Sequence, residues 1–405
     1  MTDPSRGNTT RTPHVLRCTS YDRTDTEIDR AVGCTLYTVD GREIVDMESG
    51  VWAVALGHNH PRINGALRAQ LDRISHIGYR VSAAIQDDAA AALLESAGLT
   101  GGRCVFLSSG SEAVEFSVQI ARRVTGRPLL LTLTESFLSS YGSAGTKRPE
   151  EWALFDRAGC ADCPSEHPCD GSCPRLAEIP FDRIGAMVFE PASAGGFIRF
   201  PQEKLIRALC RRVRSAGGLV VVNEVTTGIG RTGTWYGFEH AGLRPDLIAV
   251  GKGLGNGYPV SAVAMRGEVA DAVEHLIEKG FHYAQSHQND PLGCAVATEV
   301  LRVIREEGLV ERCADVGATF REGLEEIATA HPVVRDVRGR GLMLAIEFAA
   351  DRDGFVLDDL FARLLDRGFL VGYKPEGNLL RFFPPLTIPE TDLARLLQTL
   401  DELLR

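Results

Sequence analysis

No uninterrupted apolar run approaches the ~18 residues that a membrane-crossing helix requires. No apolar signal core follows the polar opening "MTDPSRGNTTRTP" either. A membrane span and secretion are therefore not expected, and a cytoplasmic location is. Positive charge is also in short supply: 44 Lys and Arg face 54 Asp and Glu, a formal net charge of −10. Binding a polyanion depends on clustered cations that release counterions, so nucleic acid is not an expected partner and small molecules are. Internal repeats and low-complexity linkers are absent as well. Of ten cysteines, six are scattered (Cys18, Cys34, Cys104, Cys210, Cys294, Cys313), which excludes a regular disulfide framework and reads as reduced thiols.

What remains is a chain of 405 residues, long enough for two domains or for one large domain with a smaller appendage. Disorder is expected only over residues 1–14. Between about residues 100 and 265, "CVFL", "PLLLTL", "AMVFE", "GLVVVNEV", "LIAV" and "SAVAM" alternate with helical patterns. Strands so continuously rich in Val, Ile and Leu suit a sheet covered on both faces, so the fold class is α/β with mostly parallel strands. From Leu292 to about Ala328 helical spacing dominates. Strand-like "VVRDVRG", "LMLAIEF" and "LLRFFPPL" follow, and an amphipathic stretch runs from Glu390 to Leu404. These form a smaller α+β domain. The hairpin-like "VDGRE" near the start suggests that the N-terminal strands join it, making that domain discontinuous. The expected division is 15–60 with the small domain, 61–294 as the large domain with a Cys-rich insertion at 155–176, and 295–405 as the rest of the small domain.

The stretch "DLIAVGKGLGNGYPV" sets Lys252 among glycines directly after an apolar strand. A Walker loop needs Ser or Thr after its lysine, and Gly253 stands there. A dinucleotide turn must open a helix, and here Tyr258, Pro259 and another strand-like run follow. Both nucleotide readings fail. A glycine-rich turn lets backbone approach a ligand, and a partly desolvated lysine there shifts towards a nucleophilic free amine. A reactive and a purely structural lysine both remain open on spacing alone.

Several spaced stretches narrow the choice: "NEVTTGIGRTGTWYGFEHAGLRPDLIAVGKGLGNGYPV", "GREIVDMESGVWAVALGHNHP", "SSGSEAVEFSVQIAR", "FEPASAGG", "QSHQNDPLGCAVA", "RGRGLMLAIEF" and "RFFPPLTI". Together, in this order and over nearly the whole chain, they resemble the class III (ω-amino acid) aminotransferases, pyridoxal 5′-phosphate enzymes of fold type I. The resemblance implies a large domain with a seven-stranded-type sheet, and that Lys252 carries the cofactor covalently. It also implies that Ser109, Gly110 and Ser111 hold the phosphate. "SSGSEAVE" lies between a strand and a helix, where free amides point at an anion, and Ser109 with Glu112 also reads as a capping box. Ser286 occupies the place of a hydroxyl that reaches the phosphate from the other subunit, which implies a homodimer; a solvated loop serine is the alternative. Phe137 takes the aromatic position that stacks on the cofactor ring, with a core phenylalanine as the alternative, and Leu138 and Ser139 replace the usual His-Gly after it. Val225 and Thr226 are further cofactor contacts.

Asn223 stands where the resemblance calls for the aspartate that pairs with the ring nitrogen; Glu190 is the nearest candidate to compensate, and Glu224 should face the other way. For substrate, Arg381 takes the place of the arginine that holds a carboxylate, with an exposed strand arginine as the alternative. Gly195 stands where relatives carry a glutamate covering that arginine, so Arg381 is expected to be uncovered. Trp52 and Tyr79 are candidates for the entrance, with core packing as the alternative. The expected partners are small-molecule amines and keto acids. The expected activity is amino transfer; an epimerase or decarboxylase of the same family and a cofactor-binding homologue with little turnover are the rivals. Finally, Cys160, Cys163, Cys169 and Cys173 have the number and reach for structural zinc or an iron–sulfur cluster, with His167 as a spare donor, but a reduced loop without metal is the expected state.

Overall fold

The continuous apolar runs become the central layer of the protein. The computed structural model describes residues 26–160, 173–193, 197–349 and 355–405, with the single positions 14, 169 and 195. Seven strands form one sheet in the order Arg103–Leu107, Ser261–Met265, Leu247–Val250, Leu219–Asn223, Ile184–Phe189, Leu129–Leu133, Trp152–Phe155. Pairing is parallel from Leu247–Val250 outward to Trp152–Phe155, and Ser261–Met265 runs antiparallel to both neighbours. Every residue of Leu129–Leu133, Ile184–Phe189 and Leu247–Val250 is buried.

Alternate residues of a strand point to opposite faces, and both faces are covered. Ala186 and Val188 join Ala113 and Val114 of helix Gly110–Thr125 in one apolar cluster, while Met187 and Phe189 join Leu205 and Leu209 of helix Glu203–Ser215 in another. The edge strand Trp152–Phe155 is buried only at its two ends. Its four residues, Trp-Ala-Leu-Phe, are a short apolar run that the sequence reading passes over.

Two four-stranded sheets lie outside this layer. One joins Ile28–Val32, Thr35–Thr38 and Glu43–Asp46 to Phe369–Leu370, which pairs in parallel with Glu43–Asp46. Strands from the two ends of the chain thus share one sheet. The other joins Val334–Arg340, Met343–Phe348, Leu379–Phe382 and Gly372–Lys374, all antiparallel. The "VDGRE" turn closes as a hairpin, with the Thr38 N–H donating to the Arg42 carbonyl at 3.0 Å. Helices Pro291–Glu306, Leu309–Ala330 and Glu390–Leu404 complete the C-terminal third.

Candidate active site

Open α/β sheets bind ligands beyond the carboxyl ends of their strands, and the candidate residues gather there. Asn223 ends one strand, Lys252 follows its neighbour Leu247–Val250 by one residue, and Ser109 follows Arg103–Leu107. Ser261, at the start of the antiparallel strand, lies at the same edge and donates its hydroxyl to the Ser109 carbonyl at 2.7 Å.

Lys252 sits at φ 42°, a left-handed conformation that a residue with a side chain seldom adopts outside a functional constraint. Its Nζ donates to Thr226 Oγ1 at 2.9 Å and lies 4.6 Å from the centre of the Trp52 ring. Burial lowers its pKa from 10.5 to about 8; the Glu190 carboxylate pulls it upward and the Arg381 guanidinium pushes it further down. A much larger share of this amine is unprotonated near neutral pH than of an ordinary lysine.

At the first turn of helix Gly110–Thr125 the capping box forms. Glu112 N–H donates to Ser109 Oγ at 3.2 Å, and Glu112 Oε2 accepts from the amides of Ser108 and Ser109 at 2.8 and 2.9 Å. The amides of Gly110 and Ser111 then stand as the helix's open donors among those the box does not serve. A Cβ on Gly110 would come within 2.5 Å of Val225 Cγ1, so only glycine lets the helix start approach this strand end. Open amides above a dipole's positive end, in a cradle that a side chain would fill, fit a phosphate group. Ser111 Oγ accepts from the Ser140 amide at 3.0 Å, tying the cradle to the segment that carries Phe137.

Phe137 is 50 % exposed, so it is not a core residue. Its amide donates to Glu190 Oε1 at 2.8 Å, and its carbonyl and that of Leu138 accept from Asn223 Nδ2 at 3.4 and 3.3 Å. Asn223 Oδ1 accepts from the Val225 amide at 3.1 Å. Glu190 and Asn223 are both buried and together fix the backbone that presents Phe137. Glu224 turns elsewhere, accepting from Thr227 Oγ1 and from the amides of Gly237 and Phe238.

Arg381 is 2 % exposed, which removes the reading of a surface arginine. Its guanidinium carbon stands 5.0 Å from the centre of the Trp52 ring, and Trp52 stacks on Phe383 at 4.7 Å. The expectation that Arg381 is uncovered is corrected here: Glu48 Oε1 lies 3.4 Å from its Nη2. The acid comes from a turn 333 residues away in sequence, and no local spacing could reveal the pairing. Gly195, the position expected to carry a covering acid, abuts the Phe137 side chain instead.

Trp52, Lys252 and Arg381 thus form one group, and Phe137, Glu190, Asn223, Val225 and Gly110 another that meets it through Glu190 and Lys252. Tyr79 is exposed and Trp52 buried. Ser286 is exposed, and among the described residues no hydrogen bond joins it to Ser109, Gly110 or Ser111 of its own chain. Of the crowded cysteines, Cys160, Cys169 and Cys173 are partly buried, while Cys163 and His167 lie outside the described residues.

A family model described as aminotransferase class-III matches residues 19–141 and 165–404. The 5-aminovalerate aminotransferase DavT of Pseudomonas aeruginosa is 34% identical, the match covering 92% of this chain and 92% of that one. The 4-aminobutyrate aminotransferase GabT of Escherichia coli is 32% identical with the same coverage, 92% of each. Among solved structures, an acetylornithine aminotransferase from Elizabethkingia anophelis superposes with a TM-score of 0.82 at 25% identity, over 97% of this chain and 96% of that one.

Proposed function

We propose, for a chain that belongs to the class III aminotransferase family, that Lys252 is the amine that carries pyridoxal 5′-phosphate and that Arg381 receives the carboxylate of an amino acid or ω-amino acid. The chain is an aminotransferase, which moves an amino group from a donor to a keto acid or aldehyde. The observation that carries the cofactor assignment is the left-handed, desolvated Lys252, its amine turned to Thr226 and its neighbours a phosphate-sized cradle and a buried arginine. When bound, the cofactor supplies an electron sink for the carbon that loses or gains the amino group.

The chain's own residues do the rest. The Gly110 and Ser111 amides hold the phosphate, with Ser109 as cap, and Phe137 and Val225 supply apolar contact to the ring. Lys252, freed when a substrate amine takes its place, is the group placed to hold and return a proton. The named relatives act on 5-aminovalerate and 4-aminobutyrate, compounds with an amine at one end and a carboxylate at the other. A buried arginine beside a reactive lysine suits that shape. The exposed Ser286 fits a contact across a homodimer, with its hydroxyl reaching the partner's phosphate. No helix among the described residues is long and apolar enough to cross a membrane, and a cytoplasmic location completes the reading.

Product analysis tests the activity. With 5-aminovalerate and a keto acid, one keto acid should disappear for each amine converted. Conversion of a chiral α-amino acid, by loss of carbon dioxide or by inversion and without consumption of the acceptor, would favour the decarboxylating or epimerising alternative.

Asn223 gives the site its own character. Its amide donates to two carbonyls and accepts from one amide, roles that a carboxylate cannot combine, because it would face the two carbonyl oxygens. One oxygen of Glu190 accepts from the Phe137 amide. A cofactor whose ring nitrogen pointed at this strand end, as the resemblance implies, would meet a neutral partner in Asn223, and we take that nitrogen to be mostly unprotonated. Asn223→Asp should raise its pKa by ~1–3 units, the usual effect of an adjacent opposite charge. Nitrogen-15 NMR of labelled, bound cofactor should show the nitrogen gaining a proton in the variant. A protonated pyridinium in the wild type at neutral pH would rule this reading out.

A further inference from the structure

Three N–H donors beside Lys252 are buried and have no acceptor among the described residues: Nε and Nη1 of Arg381 and Nε1 of Trp52. Leaving a buried donor unmet is unfavourable, so donors clustered around one cation point to an acceptor that arrives from outside. The carboxylate already present is a poor match for them. Glu48 reaches a single nitrogen, Nη2, at 3.4 Å, whereas a tight charge-assisted contact lies near ~2.8 Å and often engages two nitrogens. Glu48 neutralises Arg381 without saturating it.

The backbone that delivers Glu48 is unusual. Ser49, Gly50, Val51 and Trp52 have φ of 49°, 57°, 61° and 71°, four successive left-handed residues of which three carry side chains. The left-handed region is unfavourable for each of the three that carry side chains, so the turn persists only because its surroundings hold it. Asp46 does much of this: its carboxylate accepts from the Glu48 amide at 2.9 Å and the Gly50 amide at 3.1 Å, and contacts His58 Nε2 at 2.8 Å. Ser49 Oγ donates to the Phe383 carbonyl. Room for the carboxylate comes from Gly372, where a Cβ would stand 2.5 Å from Glu48 Oε1. Burial raises the Glu48 pKa against the opposing pull of Arg381, which leaves this carboxylate weakly committed to its charged, docked state. Its side chain keeps 20% exposure, a route out to water.

We propose that Glu48 is a displaceable cover for Arg381 and sets which substrates the site accepts. With a bound amine that has no carboxylate to offer, Glu48 stays and neutralises the guanidinium; when an acid enters, Glu48 yields and the acid takes the open donors. The proposal rests on the reading of Arg381 as the carboxylate site, and its consequence is a site that tolerates both classes of compound.

Glutarate, a five-carbon dicarboxylate with neither amine nor carbonyl, is the binding probe for the holoenzyme, measured by calorimetric titration. Glu48→Gln should tighten glutarate about tenfold, and Glu48→Asp, whose charge is withdrawn by one methylene, should tighten it less. In turnover, Glu48→Gln should lower KM for 5-aminovalerate and raise KM for pentylamine, so that the preference for the acid widens by about tenfold. On an Arg381→Ala background, Glu48→Gln should have no further effect. If Arg381→Ala leaves glutarate binding intact, the reading of Arg381 falls and the cover with it. If Arg381→Ala weakens glutarate but Glu48→Gln does not tighten it, or tightens it equally without the arginine, the cover alone is wrong.

Discussion

Lys252→Ala should lower turnover by a factor of about 10³ or more, the largest effect of any single substitution in the chain. On the proposed assignment the variant loses both the amine that anchors the cofactor and the group placed to move a proton, and general acid–base contributions alone typically supply ~10²–10⁴. Cofactor should also be held loosely. The wild type carries a matching pH signature. Burial lowers the folded-state pKa of this amine to about 8, so attack on the cofactor's aldehyde should accelerate as pH rises through about 8 and then level off, read as growth of cofactor absorbance in apoprotein. A rate that keeps climbing to about pH 10.5, the value of an exposed lysine, would contradict the desolvated site. The stability of the apoprotein follows the same sign. Because the folded pKa lies below the unfolded one, the unfolded chain binds more protons between about 8 and 10.5, and this group's contribution to stability rises with pH across that window.

Arg381→Ala is the second large effect. A hydrogen bond to a charged group contributes about 1.5–3 kcal/mol, which is about 10- to 150-fold in binding. That loss should fall on substrates with a carboxylate, and amines lacking one should lose much less. The guanidinium is fully buried and its Nε and Nη1 have no acceptor among the described residues, so the substitution disturbs no hydrogen bond that these two nitrogens make there. Removing it also leaves the Glu48 carboxylate without its cation. Equal losses of kcat/KM for 5-aminovalerate and pentylamine would show that Arg381 supports the fold and not the substrate.

The mostly parallel sheet was legible in the sequence because six of its seven strands carry short runs rich in apolar residues, the pattern of strands covered on both faces. Trp152–Phe155 was passed over although all four of its residues are apolar, because periodicity alone does not assign so short an apolar run to a strand. Among site residues, local chemistry raised Lys252, a lysine in a glycine-rich turn, and Gly110, a glycine between a strand and a capped helix, as candidates, and only the resemblance chose their roles. Arg381 could be named only through a resemblance, because an arginine on a strand looks the same from its neighbours whether it is buried or exposed. Glu48 was invisible. Its partner lies at the far end of the chain, and the two meet because Phe369–Leu370 pairs with Glu43–Asp46 and brings the ends together. The left-handed course of Ser49–Trp52 was hidden for a related reason: only Gly50 in "ESGVW" favours it, and tertiary contacts from Asp46 and Phe383 impose it on the rest.

The most direct test of the account is to treat the holoenzyme with borohydride, which fixes a cofactor bonded to an amine, and to map the labelled peptide. The account predicts one phosphopyridoxyl group per chain, on Lys252 within "AVGKGLGNG". A label on any other lysine, or none at all in protein that has bound the cofactor, would contradict it.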